Sequence, residues 1–211
     1  MAQLTFYTNP MSRGRIVRFM LEEVGATYET VVLSWGAEMT APAYRAVNPM
    51  GKVPALRHGE AVVTEAGAIC AYLAEAFPQA GLAPAPGAPA RAAFLRWMFF
   101  GAGPVEAAVT DASFGWTASD PQMEARLGYG SLDRVADVLA AQLDHGPWLL
   151  GESFSAVDVY LGSQLMWGRM FDTLPDRPPF GPYLDRLRAR PAALRANAQD
   201  DALMQIGRAH V

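Results

Sequence analysis

The sequence has very few residues of the kinds that form disulfides or bind metals. One cysteine, Cys70, and three histidines occur in 211 residues, and a single cysteine cannot form an internal disulfide. The histidines, His58, His145 and His210, are far apart and lack the spacing of metal ligands. We therefore expect no disulfide framework and no metal site, and the cysteine usage indicates a reducing compartment such as the cytoplasm.

Charge and long apolar runs are also scarce. Charged residues make up 18% of the chain and the net charge is −4, so a basic surface for nucleic acid or anionic membrane is not expected. No apolar run approaches the roughly 20 residues that a membrane-spanning helix needs. Charged side chains such as Arg13 and Glu22 interrupt residues 1–25, so we expect no signal peptide.

A segment rich in proline and glycine divides the sequence into two halves of different type. Six of the twelve residues 78–89 are proline or glycine, which suits neither a helix nor a central strand. Strand and helix patterns alternate before this segment, and only helix patterns follow it. We predict an α/β half followed by an all-α half, with domains at residues 1–80 and 91–211 and a linker at 81–90.

Hydrophobic periodicity predicts the order βαβαββα for the first half. Four apolar residues between Val17 and Val24 have helical spacing, and Gly25 is a helix stop. The predicted elements are a strand near residues 4–6, a helix 13–24, a strand 28–33, a short helix 40–46, strands 53–56 and 61–63 joined by a hairpin at His58-Gly59, and a helix 65–77.

The second half carries helix signals only. Asp120 precedes Pro121 as an N-cap before proline at the first helical position, which opens a helix predicted to run to about His145. Residues 155–158, S-A-V-D, have the form of a capping box. Further helices are predicted over residues 91–109, with an interruption at 101–104, and over 182–189 and 192–204.

The most informative stretch is residues 48–56, N-P-M-G-K-V-P-A-L. Pro54 at the start of a strand removes one ladder donor and leaves Val53 at an unpaired end. The Val53–Pro54 bond can also be cis, which would turn the Val53 backbone outward. An extended peptide can then pair with the N–H and C=O of Val53, as in strand addition. The alternative is an ordinary turn before a strand.

The stretch at residues 63–67, V-T-E-A-G, predicts a second binding feature. Thr64 is a candidate cap for the next helix, with Glu65 and Ala66 in its first turn. The start of that helix offers free N–H groups and a partial positive charge that suit a bound carboxylate. Glu65 can accept from an ammonium group there, or it can simply complement the helix dipole.

Together these motifs resemble those of the cytosolic glutathione S-transferase family. The turn N-P-M-S-R-G-R at residues 9–15, the linker and the S-A-V-D box belong to the same likeness. The resemblance implies a thioredoxin-like N-terminal domain that holds glutathione, an all-helical C-terminal domain that shapes the second-substrate pocket, and a two-fold homodimer. The implied activity is detoxification by transfer of the glutathione thiolate to small hydrophobic electrophiles. Glutathione-dependent isomerisation or dehalogenation, and non-catalytic ligand binding, are the alternatives.

The resemblance also implies roles for individual residues in glutathione binding. Val53, before a cis bond to Pro54, pairs with the cysteinyl part of glutathione, and Lys52 lies near the ligand. Glu65 lies near the γ-glutamyl ammonium. Ala66 stands where the family commonly has serine, so its N–H remains available to the γ-glutamyl carboxylate while a hydroxyl contact is missing.

Ser12 is the predicted catalytic residue, because the family places a Tyr, Ser or Cys near the end of the first strand. Its hydroxyl can donate to a thiolate; capping the following helix is an alternative role that can coexist. Tyr7 is the rival donor and otherwise a packing residue, and Cys70 is interpreted as a small buried hydrophobe. Arg15 either adds local positive charge or is solvated. The predicted second-substrate pocket is lined by Met11, Trp35, Phe100, Pro104 and Trp116.

Overall fold

A computed structural model describes residues 3–208 of the chain. Contacts between residues divide it into two compact units, of which the second covers Ala83–Arg188. The first runs to Leu82 and also includes the segment from Ala189 onward. In chain order the elements are β1 (Leu4–Thr8), α1 (Gly14–Val24), β2 (Tyr28–Val32), α2 (Ala37–Thr40), α3 (Pro42–Arg45), β3 (Ala55–His58), β4 (Ala61–Thr64), α4 (Ala66–Ala76), α5 (Ala90–Phe100), α6 (Glu106–Ser113), α7 (Pro121–Arg126), α8 (Leu132–Leu143), α9 (Ala156–Met170), α10 (Phe180–Arg188) and α11 (Pro191–Arg208), with a 3₁₀ turn at Pro78–Ala80 and a π-helical segment at Gly101–Val105.

The first unit is built on a four-stranded mixed sheet with the strand order β2-β1-β3-β4. β1 pairs parallel with β2 and antiparallel with β3, and β3 pairs antiparallel with β4. The predicted fold class is confirmed: a thioredoxin-like α/β domain is followed by a helical domain. The hairpin turn is displaced by one residue from the prediction, because His58 pairs with Ala61 and leaves Gly59-Glu60 as the turn.

The C-terminal helix α11 packs along α1 in the first unit. Arg18 of α1 and Asp200 of α11 form a buried ion pair, with 2.8 Å between Nε and Oδ1. Burial raises the pKa of Asp200, although the charges of Arg18 and Arg15 oppose that shift. α11 therefore lies in the first compact unit, whereas the predicted helical domain is residues 91–211.

A capping box opens α9 in the second unit, as predicted. Ser155 Oγ accepts from the N–H of Val157 at 3.2 Å, and Asp158 accepts from the N–H of Ser155 at 2.9 Å. Asp158 also accepts from the N–H of Leu149 at 2.8 Å and from the Tyr183 hydroxyl at 3.2 Å. Burial raises the pKa of Asp158 to about 6. The box therefore ties the start of α9 to α10 and to the preceding loop.

Two helix boundaries in the second unit differ from the predictions. The helix expected from Asp120 to about His145 is broken into α7 and α8, because Gly130 adopts a φ of 69° and Ser131 caps a new helix. The interruption expected at residues 101–104 is instead a π-helical segment that joins α5 to α6 with Pro104 inside it. Such a wider turn tolerates the missing proline N–H, so the helix continues where the composition suggested a break.

Candidate functional site

Three loops meet at the same end of the sheet in the first unit. The register places Tyr7 opposite Ala55 and Ala55 opposite Thr64, so these residues form one row across β1, β3 and β4. Ser12 follows β1, Val53 precedes β3, and Glu65 directly follows β4. Sheet pairing therefore brings segments that are distant in sequence to one end of the sheet.

Val53 presents an unpaired backbone at this end. The Val53–Pro54 peptide bond is cis, as the resemblance implied. β3 begins only at Ala55, two residues later than the first residue of the predicted strand. Within residues 3–208 neither the N–H nor the C=O of Val53 has a hydrogen-bond partner. One donor and one acceptor are thus available to an extended peptide.

Two side chains hold the segment before Val53 by binding the same carbonyl. The Tyr44 hydroxyl donates to the Lys52 carbonyl oxygen at 2.6 Å, and Asn48 Nδ2 donates to it at 2.7 Å. Burial raises the pKa of Tyr44 to about 12, which keeps its hydroxyl protonated. Neither side chain is among the residues predicted from the sequence. The N-P-M-G motif at residues 48–51 is a signal for Asn48, whereas no motif contains Tyr44.

Gly51 is required by the same loop. Its N–H donates to the Asn48 carbonyl at 2.9 Å, and its φ is 61°. A Cβ at this position would lie 2.8 Å from the carbonyl oxygen of Met39, closer than carbon and oxygen normally approach. Both the left-handed backbone and the close approach exclude a side chain, so the glycine of the motif supports the loop that presents Val53.

Glu65 occupies an unusual position directly before α4. Its φ of 67° and ψ of 121° are rare for a residue with a side chain, and such backbone conformations concentrate at functional sites. The helix begins at Ala66, so Glu65 is not in the first turn, and no side chain caps α4, contrary to the capping role predicted for Thr64. Within the described residues the exposed Glu65 carboxylate has no hydrogen-bond or ion-pair partner. The first N–H groups of α4 therefore remain available to an anion.

Ser12 ends a tight turn between β1 and α1. The N–H of Ser12 donates to the Asn9 carbonyl at 3.0 Å, so Pro10 and Met11 are the central residues of the turn. The Asn9 side chain braces it, donating to the Leu33 carbonyl at 2.9 Å and accepting from the Met11 N–H at 2.9 Å. The turn is thus anchored to the residue that directly follows β2.

The hydroxyl of Ser12 makes two hydrogen bonds within this turn. It donates to the Asn9 carbonyl at 2.7 Å and accepts from the Gly14 N–H at 2.9 Å. The second bond satisfies the N–H of the first residue of α1, but the N-cap position is Arg13 rather than Ser12 as predicted, and no side chain makes a capping bond to α1. A hydroxyl carries one proton, so donation to any other acceptor requires Ser12 to release the Asn9 carbonyl.

Tyr7 and Cys70 have the environments expected of packing residues. The Tyr7 ring lies 5.6 Å from the ring of Tyr44 and packs against a buried cluster that includes Met39 and Val47. Cys70 is completely buried, and burial raises the pKa of its thiol. A thiol in that state is a poor nucleophile, so cysteine chemistry of the protein's own is disfavoured.

The residues predicted to line a second-substrate pocket belong to both units. Met11 and Trp35 are exposed in the first unit. In the second unit Phe100 ends α5, Pro104 lies in the π-helical segment, and Trp116 is exposed after α6. Their shared role as a pocket stays a prediction.

In the part of the chain that the structure describes, no three His, Cys, Asp or Glu side chains are grouped so that they could hold a metal ion. No helix within residues 3–208 combines the length and apolarity needed to cross a bilayer. His210 lies outside the described residues.

Comparison with known proteins identifies the family. Residues 2–75 match the glutathione S-transferase N-terminal domain, and residues 106–204 match the glutathione S-transferase C-terminal domain. The chain is 30% identical to maleylacetoacetate isomerase of Pseudomonas aeruginosa over 191 residues, which cover 86% of this chain and 89% of that protein. It is 28% identical to the disulfide-bond oxidoreductase YfcG of Escherichia coli over 205 residues, covering 92% and 94% respectively.

Solved structures give the same result. The theta class glutathione S-transferase of the citrus canker pathogen Xanthomonas axonopodis pv. citri, with glutathione bound, has a TM-score of 0.71 and 32% identity to this chain. The similarity covers 93% of this chain and 97% of that one. The protein therefore belongs to the glutathione S-transferase family.

Proposed function

We propose that this protein is a cytoplasmic glutathione transferase that adds the glutathione thiolate to small hydrophobic electrophiles. The observation that carries the proposal is the set of unpartnered polar groups at one end of the sheet. These are the N–H and C=O of Val53, the Glu65 carboxylate and the first N–H groups of α4. Each has a counterpart in glutathione, which is a tripeptide with an ammonium group and two carboxylates.

In this proposal the polar groups at the sheet end determine which part of glutathione lies beside each loop. Val53 pairs with the cysteinyl residue, which places the thiol beside the β1–α1 turn. Glu65 accepts from the γ-glutamyl ammonium, while the N–H of Ala66 donates to the adjacent carboxylate. Lys52 is exposed and adds a positive charge beside the ligand. A solved relative with glutathione bound supports this choice of ligand.

Ser12 activates the thiol in this proposal, and its existing hydrogen bonds set how much it contributes. A hydrogen bond to a charged group contributes about 1.5–3 kcal/mol, against about 0.5–1.5 for a neutral one. Turning the hydroxyl from the Asn9 carbonyl to a thiolate is thus favourable by roughly 1–1.5 kcal/mol. The Asn9 carbonyl is not left unpaired, because it keeps the N–H of Ser12. At 1.36 kcal/mol per unit, this stabilisation of the thiolate lowers the pKa of the glutathione thiol by about one unit.

Isomerisation is the second candidate function, favoured by the 30% identity to maleylacetoacetate isomerase over most of both chains. The same bound thiolate adds to a cis double bond conjugated with a carbonyl. Rotation about the resulting single bond and departure of the thiolate then give the trans product. The serine turn and the glutathione groups serve both reactions, so the electrophile decides between them.

A substrate panel separates the candidates. With aryl halides or unsaturated carbonyl compounds, the purified protein should form covalent glutathione adducts that mass spectrometry detects. Conversion of cis-enones to trans-enones without adduct would make it an isomerase instead. Glutathione binding by calorimetry without turnover on either set would contradict both and leave a ligand-binding protein.

Glu65→Gln tests the binding assignment. Loss of the charge weakens the bond to the γ-glutamyl ammonium, so the KM for glutathione should rise roughly 5- to 10-fold. The value of kcat should be nearly unchanged, because the contact is the same in the ground and transition states. Steady-state kinetics measure both constants. Glu60→Gln, in the hairpin turn at the other end of β4, is the matched control. An unchanged KM would leave Glu65 as a dipole-complementing residue only.

Ser12→Ala tests the activation step. Because a donor to the thiolate is lost, the pKa of the bound thiol should rise by about one unit, and kcat near pH 6.5 should fall about tenfold. Activity should recover as the pH is raised, and glutathione should still bind. The thiolate ultraviolet absorbance of bound glutathione against pH measures this directly. Tyr7→Phe should titrate like the wild type; coincident curves for Ser12→Ala and wild type would remove Ser12 from the mechanism.

We also propose that the protein is a two-fold homodimer, as is implied by the family resemblance. Leu95 and Phe99 lie one turn apart on α5 and are 42% and 72% exposed, so a second copy of the chain packed against this helix would bury apolar surface. Sedimentation equilibrium at micromolar concentration should give twice the chain mass of 22.8 kDa. A mass equal to one chain would refute the dimer.

A further inference from the structure

Arg15 connects the Ser12 turn to the C-terminal helix. Its Nε donates to the Pro10 carbonyl at 2.6 Å, and its Nη2 donates to Asp201 of α11 at 2.6 Å. The side chain is only 21% exposed. Arg15 is therefore engaged in two directions, and neither of the roles considered from the sequence, a free positive charge or a solvated side chain, describes it.

The carbonyl that Arg15 binds belongs to the central peptide of the turn. The N–H of that Pro10–Met11 peptide donates to the Asn9 side chain, so both of its polar groups are held. The orientation of the central peptide is what distinguishes type I from type II turns. Arg15 and Asn9 together thus select one conformation of the turn, and Ser12 is its last residue.

We propose that Arg15, oriented by Asp201, is a positioning residue for Ser12, and that α11 thereby controls the turn that stabilises the thiolate. The proposal rests on the proposed function, in which Ser12 donates to the glutathione thiolate. Arg15 acts through the Pro10 carbonyl on the direction of the Ser12 hydroxyl.

Asp201 orients the Arg15 guanidinium and contributes little to the folding stability of the protein. It is 55% exposed, and an ion pair with such an exposed partner adds little to folding. The guanidinium is a rigid fork, so fixing Nη2 on Asp201 also fixes where Nε points. Other pairs hold α11 on α1, including the buried Arg18–Asp200 pair and Arg195 with Glu22. Loss of the Asp201 carboxylate should therefore free Arg15 without releasing the helix.

Arg15→Lys and Asp201→Ala test the proposal, with Arg195→Lys as the matched control because Arg195 joins the same two helices without reaching the turn. Arg15→Lys should raise the pKa of the bound thiol and lower kcat about 3- to 10-fold, with little change in the KM for glutathione. Asp201→Ala should change both in the same direction, and Arg195→Lys should change neither. Equal effects of Arg15→Lys and Arg195→Lys would reduce Arg15 to a helix-docking role and overturn the proposal.

Two further measurements separate positioning from other causes. In a Ser12→Ala background Arg15→Lys should have no additional effect on the thiol pKa, since both changes remove the same contribution. An undiminished effect would mean that Arg15 acts independently of Ser12.

Amide hydrogen exchange at Met11 and Ser12 in the free protein should be faster in Arg15→Lys and Asp201→Ala than in the control. Unchanged exchange would refute the link to the turn. This second measurement needs no glutathione, so failure of the proposed function is seen separately, as absent glutathione binding by the wild type.

Discussion

The antiparallel pairing of β3 with both β1 and β4 is the constraint on which the candidate site depends. It aligns Tyr7, Ala55 and Thr64 in one row, and the loops to Ser12, Val53 and Glu65 all leave from that end. The register is fixed elsewhere, by completely buried pairs such as Phe6 opposite Leu56. A slip of one residue would turn these side chains to the other face. The core of the first unit therefore determines which polar groups are brought together at the sheet end.

Features that depend on a few neighbouring residues could be predicted from the sequence. Pro54 removes a backbone donor and permits a cis bond to Val53, and Ser155 with Asp158 forms its capping box within one turn. The fold class followed from the same kind of signal, because strand and helix periodicities differ over short windows. The motif around Pro54 likewise indicated an unpaired Val53, since the missing proline N–H is a property of that residue alone.

Features that depend on distant residues could not be predicted in this way. Asp201 is 186 residues from Arg15 along the chain, and charge patterning within either helix contains no information about the other. The assignment of α11 to the first unit follows from such pairs. The single helix predicted from Asp120 to about His145 is wrong, because the left-handed backbone of Gly130 and the Ser131 cap separate α7 from α8. The hydrogen bond from the Ser12 hydroxyl to the Asn9 carbonyl was also not predicted, since it forms only in the folded turn.

Binding and activation are separable in the proposed reaction because they lie on different segments. In the proposed binding mode Ala66 lacks the hydroxyl that is common in the family, and the lost hydrogen bond to a carboxylate is worth about 1.5–3 kcal/mol. That contact is made equally before and during the reaction, so its absence affects affinity rather than kcat. In the proposed activation step Ser12, by contrast, interacts with the charge that the thiol gains on ionisation. The loops at β3 and β4 can therefore vary in affinity while the β1–α1 turn, held through Arg15, sets the fraction of glutathione that is reactive.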